Sequence, residues 1–115
     1  MREYKGQERR KAQRAPLTTF CPVTFCYTGE SYGAFMVDVS NTGTGFRLES
    51  HGVDLKLEEG KELLFHVKTP YGDSNCSGII QWAVMDNGYC TWGVNFTQLS
   101  RDESDPLRCL IDSSF

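Results

Sequence analysis

The feature that most constrains the fold is a repeat of apolar residues at every second position. The alternation is clearest over residues 62–68 and 90–96, where apolar and more polar side chains take turns. Successive side chains of a β-strand point to opposite faces, so this pattern predicts strands with one buried face. A helix would instead require apolar residues three and four positions apart.

Six such runs are predicted along the chain, with turn sequences between them. They cover residues 17–27, residues 34–40, a short run around Phe46 and Leu48, a run that opens at Gly60, residues 75–85, and residues 90–96. Residues 29–33 predict a hairpin loop, and Asp86-Asn87-Gly88 predicts a two-residue hairpin turn. Short strands at regular spacing, without helices between them, favour an antiparallel sandwich or a small barrel.

The tail contains the one predicted helix. Asp105 can cap its start, with Pro106 at the first helical position, where proline is favoured. Leu107, Leu110 and Ile111 then form a single apolar stripe. The prediction is therefore an all-β domain with a short C-terminal α-helix.

Charge is distributed unevenly over the 115 residues. The formal net charge is −3, but residues 1–16 carry +4 and the remainder carries −7. Residues 1–16 show no periodicity, so we expect a flexible N-terminal arm followed by one domain over residues 17–115. A basic arm on an acidic body suggests capture of a small anion, and a solvated charged tail is the alternative.

Apolar runs and cysteines indicate where in the cell the protein is expected. No run of 18 apolar residues is present, and the first residues lack the apolar stretch of a secretory signal, so no membrane insertion is expected. The five cysteines are odd in number and form no CxxC pair, which predicts reduced thiols and no metal site. The expected location is the cytoplasm.

The second predicted strand carries the first candidate site residues. The expected core-facing set is Phe35, Val37 and Val39, and the expected solvent-facing set is Met36, Asp38 and Ser40. A carboxylate at Asp38 can accept hydrogen bonds from the Watson–Crick edge of guanine, and Ser40 adds a donor or acceptor. Gly43 follows in the turn, where the absence of a side chain lets a ligand approach the backbone.

A second candidate group lies in the arm. Arg10 and Arg14 are four residues apart, and their planar guanidinium groups suit phosphate oxygens and the O6/N7 edge of guanine. Arginine-rich arms are common, so this pair is weak evidence by itself.

Taken together, the two groups resemble the signature of the PilZ domain family, RxxxR followed by [D/N]xSxxG. The resemblance covers nearly the whole chain, including Gly60 and the later Gly93-Val94-Asn95-Phe96. It implies a six-stranded antiparallel β-barrel of bacterial origin that binds cyclic di-GMP. One departure is Thr42, where many members have glycine, although Gly45 follows soon after.

The resemblance also implies individual roles. The implied ligand-binding residues are Arg9, Arg10, Arg14, Asp38, Ser40 and Gly43. Arg10 and Arg14 would contact phosphates and guanine, and Arg9 would favour an intercalated ligand dimer. Asp38 and Ser40 would hydrogen-bond the guanine, and Gly43 would hold the turn.

Two tryptophans need separate interpretation. Trp92 alternates with core residues and is predicted to lie in the core. Trp82 is either a core residue or a wall of the ligand site that stacks on a base. The isolated His51 and His66 suggest no catalytic pair.

The sequence therefore predicts a receptor rather than an enzyme. Cyclic di-GMP would order the arm, and an unidentified effector protein would recognise the changed surface; no cofactor and no DNA or RNA partner is expected. One alternative is a small barrel that binds single-stranded nucleic acid. The other is a PilZ-like protein-interaction scaffold without a ligand.

Overall fold

A computed structural model describes residues 15–49, 55–100 and 102–115. Its elements are β1 (Ala15–Pro16), β2 (Pro22–Tyr27), β3 (Glu30–Val39), β4 (Gly43–Glu49), β5 (Glu62–Thr69), β6 (Gly72–Asp86), β7 (Tyr89–Gln98) and α1 (Pro106–Ser113). No helix in these ranges is long and apolar enough to cross a membrane.

Six of the strands close into an antiparallel barrel. The order around it is β2, β3, β4, β7, β6 and β5, and β5 pairs again with β2. The short β1 lies outside the barrel, where Ala15 and Pro16 pair with Val39 and Asp38 of β3. The predicted six-stranded barrel with a C-terminal helix is confirmed. Residues 1–14 of the predicted arm, which spans 1–16, lie outside the described residues, and the last two residues of the arm form β1.

Aromatic side chains fill the barrel. Trp92 and Phe46 are fully buried, and the Phe25 ring meets the edge of Trp92 with centroids 5.2 Å apart. Phe46 meets Phe65 in the same edge-on manner at 4.9 Å. Burying each such side chain contributes about 1.5–3 kcal/mol, so this cluster supplies much of the stability. The prediction that Trp92 belongs to the core is confirmed.

Two hairpins turn through residues with positive φ. Asn87 and Gly88 have φ values of 53° and 81°, as the sequence predicts for a two-residue turn. Thr28 and Gly29 have nearly the same values, 50° and 83°. The predicted loop over residues 29–33 is therefore wrong, because the turn ends at Gly29 and β3 begins at Glu30. Threonine rarely adopts this conformation, so composition gave no signal for the earlier turn.

The first predicted strand is shorter than expected. It begins at Pro22 rather than at residue 17, and proline, which lacks an N–H, is tolerated at the first position of a strand. Residues 17–21 still run beside β3, since the Leu17 N–H donates to the Val37 carbonyl and the Met36 N–H to that of Cys21, both at 3.0 Å.

The predicted faces of β3 are partly wrong. A β-bulge interrupts the β3–β4 ladder between Met36 and Asp38. Met36 and Val39 are both buried although they are three residues apart, while Phe35 and Val37 are only partly buried. The bulge inserts one residue and thereby breaks the strict alternation on which the prediction rested.

Helix α1 begins as predicted. The Asp105 carboxylate accepts from the N–H groups of Leu107 and Arg108, both at 3.1 Å, and Pro106 opens the helix. The Ser74 hydroxyl of β6 donates to the same carboxylate at 3.3 Å. The cap therefore ties the helix to the barrel, where the predicted stripe of Leu107, Leu110 and Ile111 is buried.

Gly43 allows the barrel to close. A Cβ built on it would overlap the backbone carbonyl of Val94 on β7, and its φ is not positive. Backbone cannot move aside as a flexible side chain does. Glycine is therefore required here by the close approach of two strands.

We expect Gly43→Ala to destabilise the protein by about 1–3 kcal/mol or more, because the added methyl group must push β4 away from β7. The measurement is urea-induced unfolding of the variant and of wild type. Gly33→Ala is the matched control, since a Cβ there meets nothing within 4 Å. Equal stability of the two variants would contradict the packing argument.

His66 forms a polar cluster on the outer surface. Its Nδ1 lies 2.7 Å from the Asn75 Oδ1, and its Nε2 lies 3.1 Å from the Asp73 Oδ2. The hydrogen bond to Asn75, with a second one to Asp73, raises the pKa of His66 above 6.5 because both acceptors favour the charged ring.

We expect a side-chain NMR titration of His66 to give a pKa above 6.5, and Asn75→Ala to lower it. The pKa of His66 is higher in the folded state than in the unfolded state, so the protonated ring stabilises the folded protein. This stabilisation is complete below about pH 6.5 and is lost as the pH rises through the folded-state pKa. A pKa at or below 6.5 in the wild-type protein would refute the cluster.

Candidate ligand-binding site

The turn between β3 and β4 is held by the side chain of Ser40. Its Oγ accepts from the N–H groups of Gly43 at 3.1 Å and Thr42 at 3.2 Å. The Ser40 N–H also donates to the Gly43 carbonyl at 2.8 Å. Ser40 is fully buried, so the expectation that it faces solvent is wrong. Its hydroxyl is used to shape the turn.

β7 fixes the turn from the other side. The Phe96 N–H donates to the Thr42 carbonyl at 2.8 Å, next to the contact between Gly43 and Val94. Thr44, which is also fully buried, donates its hydroxyl to the Asp38 carbonyl at 2.6 Å. The backbone at Asp38 is thus held by β4, and the position of the Asp38 side chain follows from it.

Asp38 lies on the outside of the barrel, between two strands. β1 borders it on one side, where Pro16 is its partner, and Gly45 of β4 is its partner on the other. Its carboxylate lies over Gly45, since a Cβ on that glycine would be 2.9 Å from the Asp38 Oδ1. The prediction that Asp38 faces outward is therefore confirmed.

A row of residues continues from Asp38 across three further strands. Gly45 pairs with Gly93 of β7, and Gly93 pairs with Trp82 of β6 beside a β-bulge. The Trp82 ring covers Gly93, whose Cβ would lie 2.6 Å from the indole Nε1. We call Asp38, Gly45, Gly93 and Trp82 the glycine shelf: a backbone floor with a carboxylate at one end and an indole at the other.

Trp82 belongs to the surface and not to the core. It is 38% exposed, in contrast to the fully buried Trp92. Of the two interpretations that the sequence left open, a core position is therefore wrong. The exposed ring is available to stack on a planar ligand.

Arg47 is a nearby residue that the sequence analysis did not select. It follows Gly45 as the next outward position of β4, and its Nε donates to the Thr91 hydroxyl at 3.3 Å. Its guanidinium also lies 5.5 Å from the centroid of the Tyr89 ring. The signal was present in the period-two alternation, which places Gly45 and Arg47 on the same face of β4.

Two grooves differ in their relation to this site. One of about 290 Å³ runs between residues 17–20 and Phe35, Met36 and Val37, just before Asp38. A larger groove of about 450 Å³ lies along β2, β5 and β6, and Leu64, His66 and Asn75 contribute to its lining. The predicted site residues that the structure describes do not line the larger groove, so its size does not make it the candidate site.

The structure brings together only part of the predicted set. Asp38 and Gly43 stand on either side of the turn that Ser40 holds, and Trp82 joins Asp38 across the glycine shelf. Arg9, Arg10 and Arg14 lie outside the described residues. Within the described ranges, no group of three or more His, Cys, Asp or Glu side chains could hold a metal ion.

Comparisons with solved structures identify the fold. The PilZ domain of YcgR from Escherichia coli, solved with c-di-GMP, matches with a TM-score of 0.71 at 18% identity, over 92% of this chain and 91% of that one. MotI/DgrA, an inhibitor of motility from Bacillus subtilis, matches with a TM-score of 0.69 at 12% identity, over 91% and 51%. The MrkH–c-di-GMP complex of K. pneumonia matches with a TM-score of 0.71 at 16% identity, over 91% of this chain and 51% of that one.

These likenesses show a shared fold, and the chain spans about half the length of MotI and MrkH. No curated protein sequence matches the chain. The family model described as PilZ domain matches residues 8–113, from the arginine motif of the arm to the end of α1. The chain therefore belongs to the PilZ domain family.

Proposed function

We propose that this protein is a cyclic di-GMP receptor whose ligand lies on the outside of the barrel, over the glycine shelf. The observation that carries the proposal is the placement of the Asp38 carboxylate and the Trp82 indole at opposite ends of one row of paired residues, with two glycines between them. A planar base with hydrogen-bond donors on its edge fits that combination. Guanine has such an edge in its N1–H and N2 amino groups.

The two ends of the glycine shelf recognise different parts of the base. Asp38 accepts from the guanine edge, which distinguishes guanine from adenine because adenine has an unprotonated N1 there. Trp82 stacks on the face of the base, an interaction worth about 1–3 kcal/mol per base. The carboxylate gives specificity, and the indole adds affinity.

The arginines supply the charge that the ligand needs. Arg14 directly precedes Ala15, whose partner on β3 is Val39, next to Asp38. Arg10 is five residues from Ala15 and can therefore lie at most about 18 Å from it. We propose that Arg10 and Arg14 bind the phosphates and a guanine O6/N7 edge, as bidentate guanidinium donors do.

Ser40 and Gly43 contribute through the turn. Ser40 is fully buried, so we assign it to holding the turn that presents Asp38. Gly43 lets that turn rest against β7. Arg9, next to Arg10, is proposed to favour an intercalated dimer of the ligand, which predicts two ligands per chain.

The proposal extends to how ligand binding would be signalled. We propose that cyclic di-GMP, with two negative phosphates, draws the arm onto the outer face of β3 and β4. That change covers one surface and presents another to an effector protein. The YcgR and MrkH structures contain c-di-GMP, and MotI is an inhibitor of motility, which makes control of motility one candidate output.

A receptor accounts for the site better than an enzyme does. The two nitrogens of His66 are engaged by Asn75 and Asp73, so this histidine cannot activate a nucleophile without losing a partner. All five cysteines are free, which suits a protein of the reducing cytoplasm.

Nucleic acid is the competing ligand class. MrkH is described as a c-di-GMP-dependent transcription regulatory factor, and this chain matches about half of it. The body of the present chain is acidic apart from its arm, which disfavours a long polyanion. Any oligonucleotide binding should be weak and steeply salt-dependent.

We expect calorimetric titration to detect binding of cyclic di-GMP and not of GTP or cyclic di-AMP. GTP lacks the second guanine, and adenine cannot donate to Asp38 from N1. Two ligands per chain would support the role of Arg9, and one per chain would remove it. No heat with cyclic di-GMP at tens of micromolar protein would refute the proposed function.

Substitutions separate ligand binding from folding. Arg14→Ala and Asp38→Ala should each abolish binding while leaving the thermal midpoint of the ligand-free protein nearly unchanged. Arg2→Ala removes the same charge from the arm outside the motif, and Asp112→Ala removes an exposed acid of α1; both should bind normally. A large loss of stability in Asp38→Ala would instead assign it a structural role.

A further inference from the structure

Gly45 and Gly93 are glycines for reasons of space and not of backbone conformation. Neither has a positive φ, so any residue could adopt their backbone geometry. Both are buried at outward positions of β4 and β7, because Asp38 and Trp82 lie on top of them. A Cβ on Gly45 would lie 2.9 and 3.2 Å from the two Asp38 carboxylate oxygens, and one on Gly93 would lie 2.6 and 2.8 Å from the Trp82 Nε1 and Cε2.

We propose that Gly45 and Gly93 are positioning residues of the ligand site: they leave the space in which Asp38 and Trp82 lean toward each other and so set the gap that one base enters. This inference rests on the proposed function and concerns residues outside its two sequence motifs. Neither glycine needs to touch the ligand for the effect, because Asp38 covers Gly45 and Trp82 covers Gly93.

The register explains how the two side chains come to face one base. Gly45 and Gly93 are direct partners, and the Cβ positions of such partners are about 5 Å apart. Each neighbouring side chain covers the glycine on its own side, so carboxylate and indole approach each other over the β4–β7 pair. A base stacked against the indole then has its edge within reach of the carboxylate.

A methyl group at either position would move one of these groups. Alanine at 93 would force the indole to rotate away from β7 and would displace the stacking surface. Alanine at 45 would displace the carboxylate, but it would also press on the Val37 Cγ2, 3.2 Å from the added Cβ. Gly93 gives the cleaner test, since the three atoms nearest to its added Cβ all belong to Trp82.

A purely structural explanation makes a different prediction. An aromatic side chain across from a glycine can stabilise a sheet by covering the exposed backbone. On that explanation, Gly93→Ala would change stability and leave ligand affinity alone. On our proposal, the thermal midpoint of Gly93→Ala stays within about two degrees of wild type or rises, because alanine suits a strand at least as well as glycine, and affinity falls.

The experiment is a double-mutant cycle in which cyclic di-GMP affinity is measured by calorimetry. Gly93→Ala and Trp82→Ala should each weaken binding by roughly 5- to 150-fold, the range that corresponds to one base–aromatic stack. In the Trp82→Ala background, Gly93→Ala should add less than about twofold, because the side chain that it displaces is gone. Gly33→Ala, on an open part of β3, is the control and should bind as wild type does.

A ligand-free measurement tests the positioning itself. The fluorescence of Trp82 is the part of the tryptophan emission that Trp82→Phe removes. In Gly93→Ala this part should shift to longer wavelength, because the indole leaves the sheet surface. An unchanged emission, unchanged affinity in Gly93→Ala, or fully additive losses in the double variant would each overturn the inference. If the wild-type protein does not bind cyclic di-GMP, the proposed function is wrong. If the wild-type protein binds and Gly93→Ala binds equally well, only the inference about the glycines is wrong.

Discussion

The contact between the β3–β4 turn and β7 is the constraint on which the rest of the structure depends. β4 must pair with β3 on one side and with β7 on the other for the barrel to close. That arrangement brings Gly43 against the Val94 carbonyl, where no side chain fits. Ser40 completes the turn from inside, with its hydroxyl bonded to the backbone of Gly43. Closing the barrel and forming the β3–β4 turn therefore depend on the same residues.

The same closure creates the candidate ligand site. Once β4 lies beside β7, Gly45 and Gly93 become partners, and the outer surface acquires a floor without side chains. The bulge in β3 keeps Asp38 on that surface although Met36, two residues before it, is buried. Two residues of the DxSxxG motif, Ser40 and Gly43, are therefore required by the fold. The turn that they form helps to place the Asp38 carboxylate over Gly45.

Local rules predicted the parts of the fold that depend on local chemistry. The Asn87–Gly88 turn and the Asp105 cap required only neighbouring residues, and both are present. The faces of β3 could not be predicted, because period-two reasoning assumes an unbroken register and the bulge follows from pairing with a distant strand. The pairing of Gly45 with Gly93 is equally non-local, since 48 positions separate them in the sequence. Sequence therefore identified Asp38 but not the shelf beside it.

The two indole N–H signals in NMR spectra test directly whether the ligand lies outside the barrel against Trp82, as we propose. On titration with cyclic di-GMP, the Nε1–H resonance of the exposed Trp82 should shift through the ring current of the stacked guanine. The resonance of Trp92, fully buried in the core, should keep its position. Binding that leaves the Trp82 signal in place, or that moves only the Trp92 signal, would contradict the proposed position of the ligand.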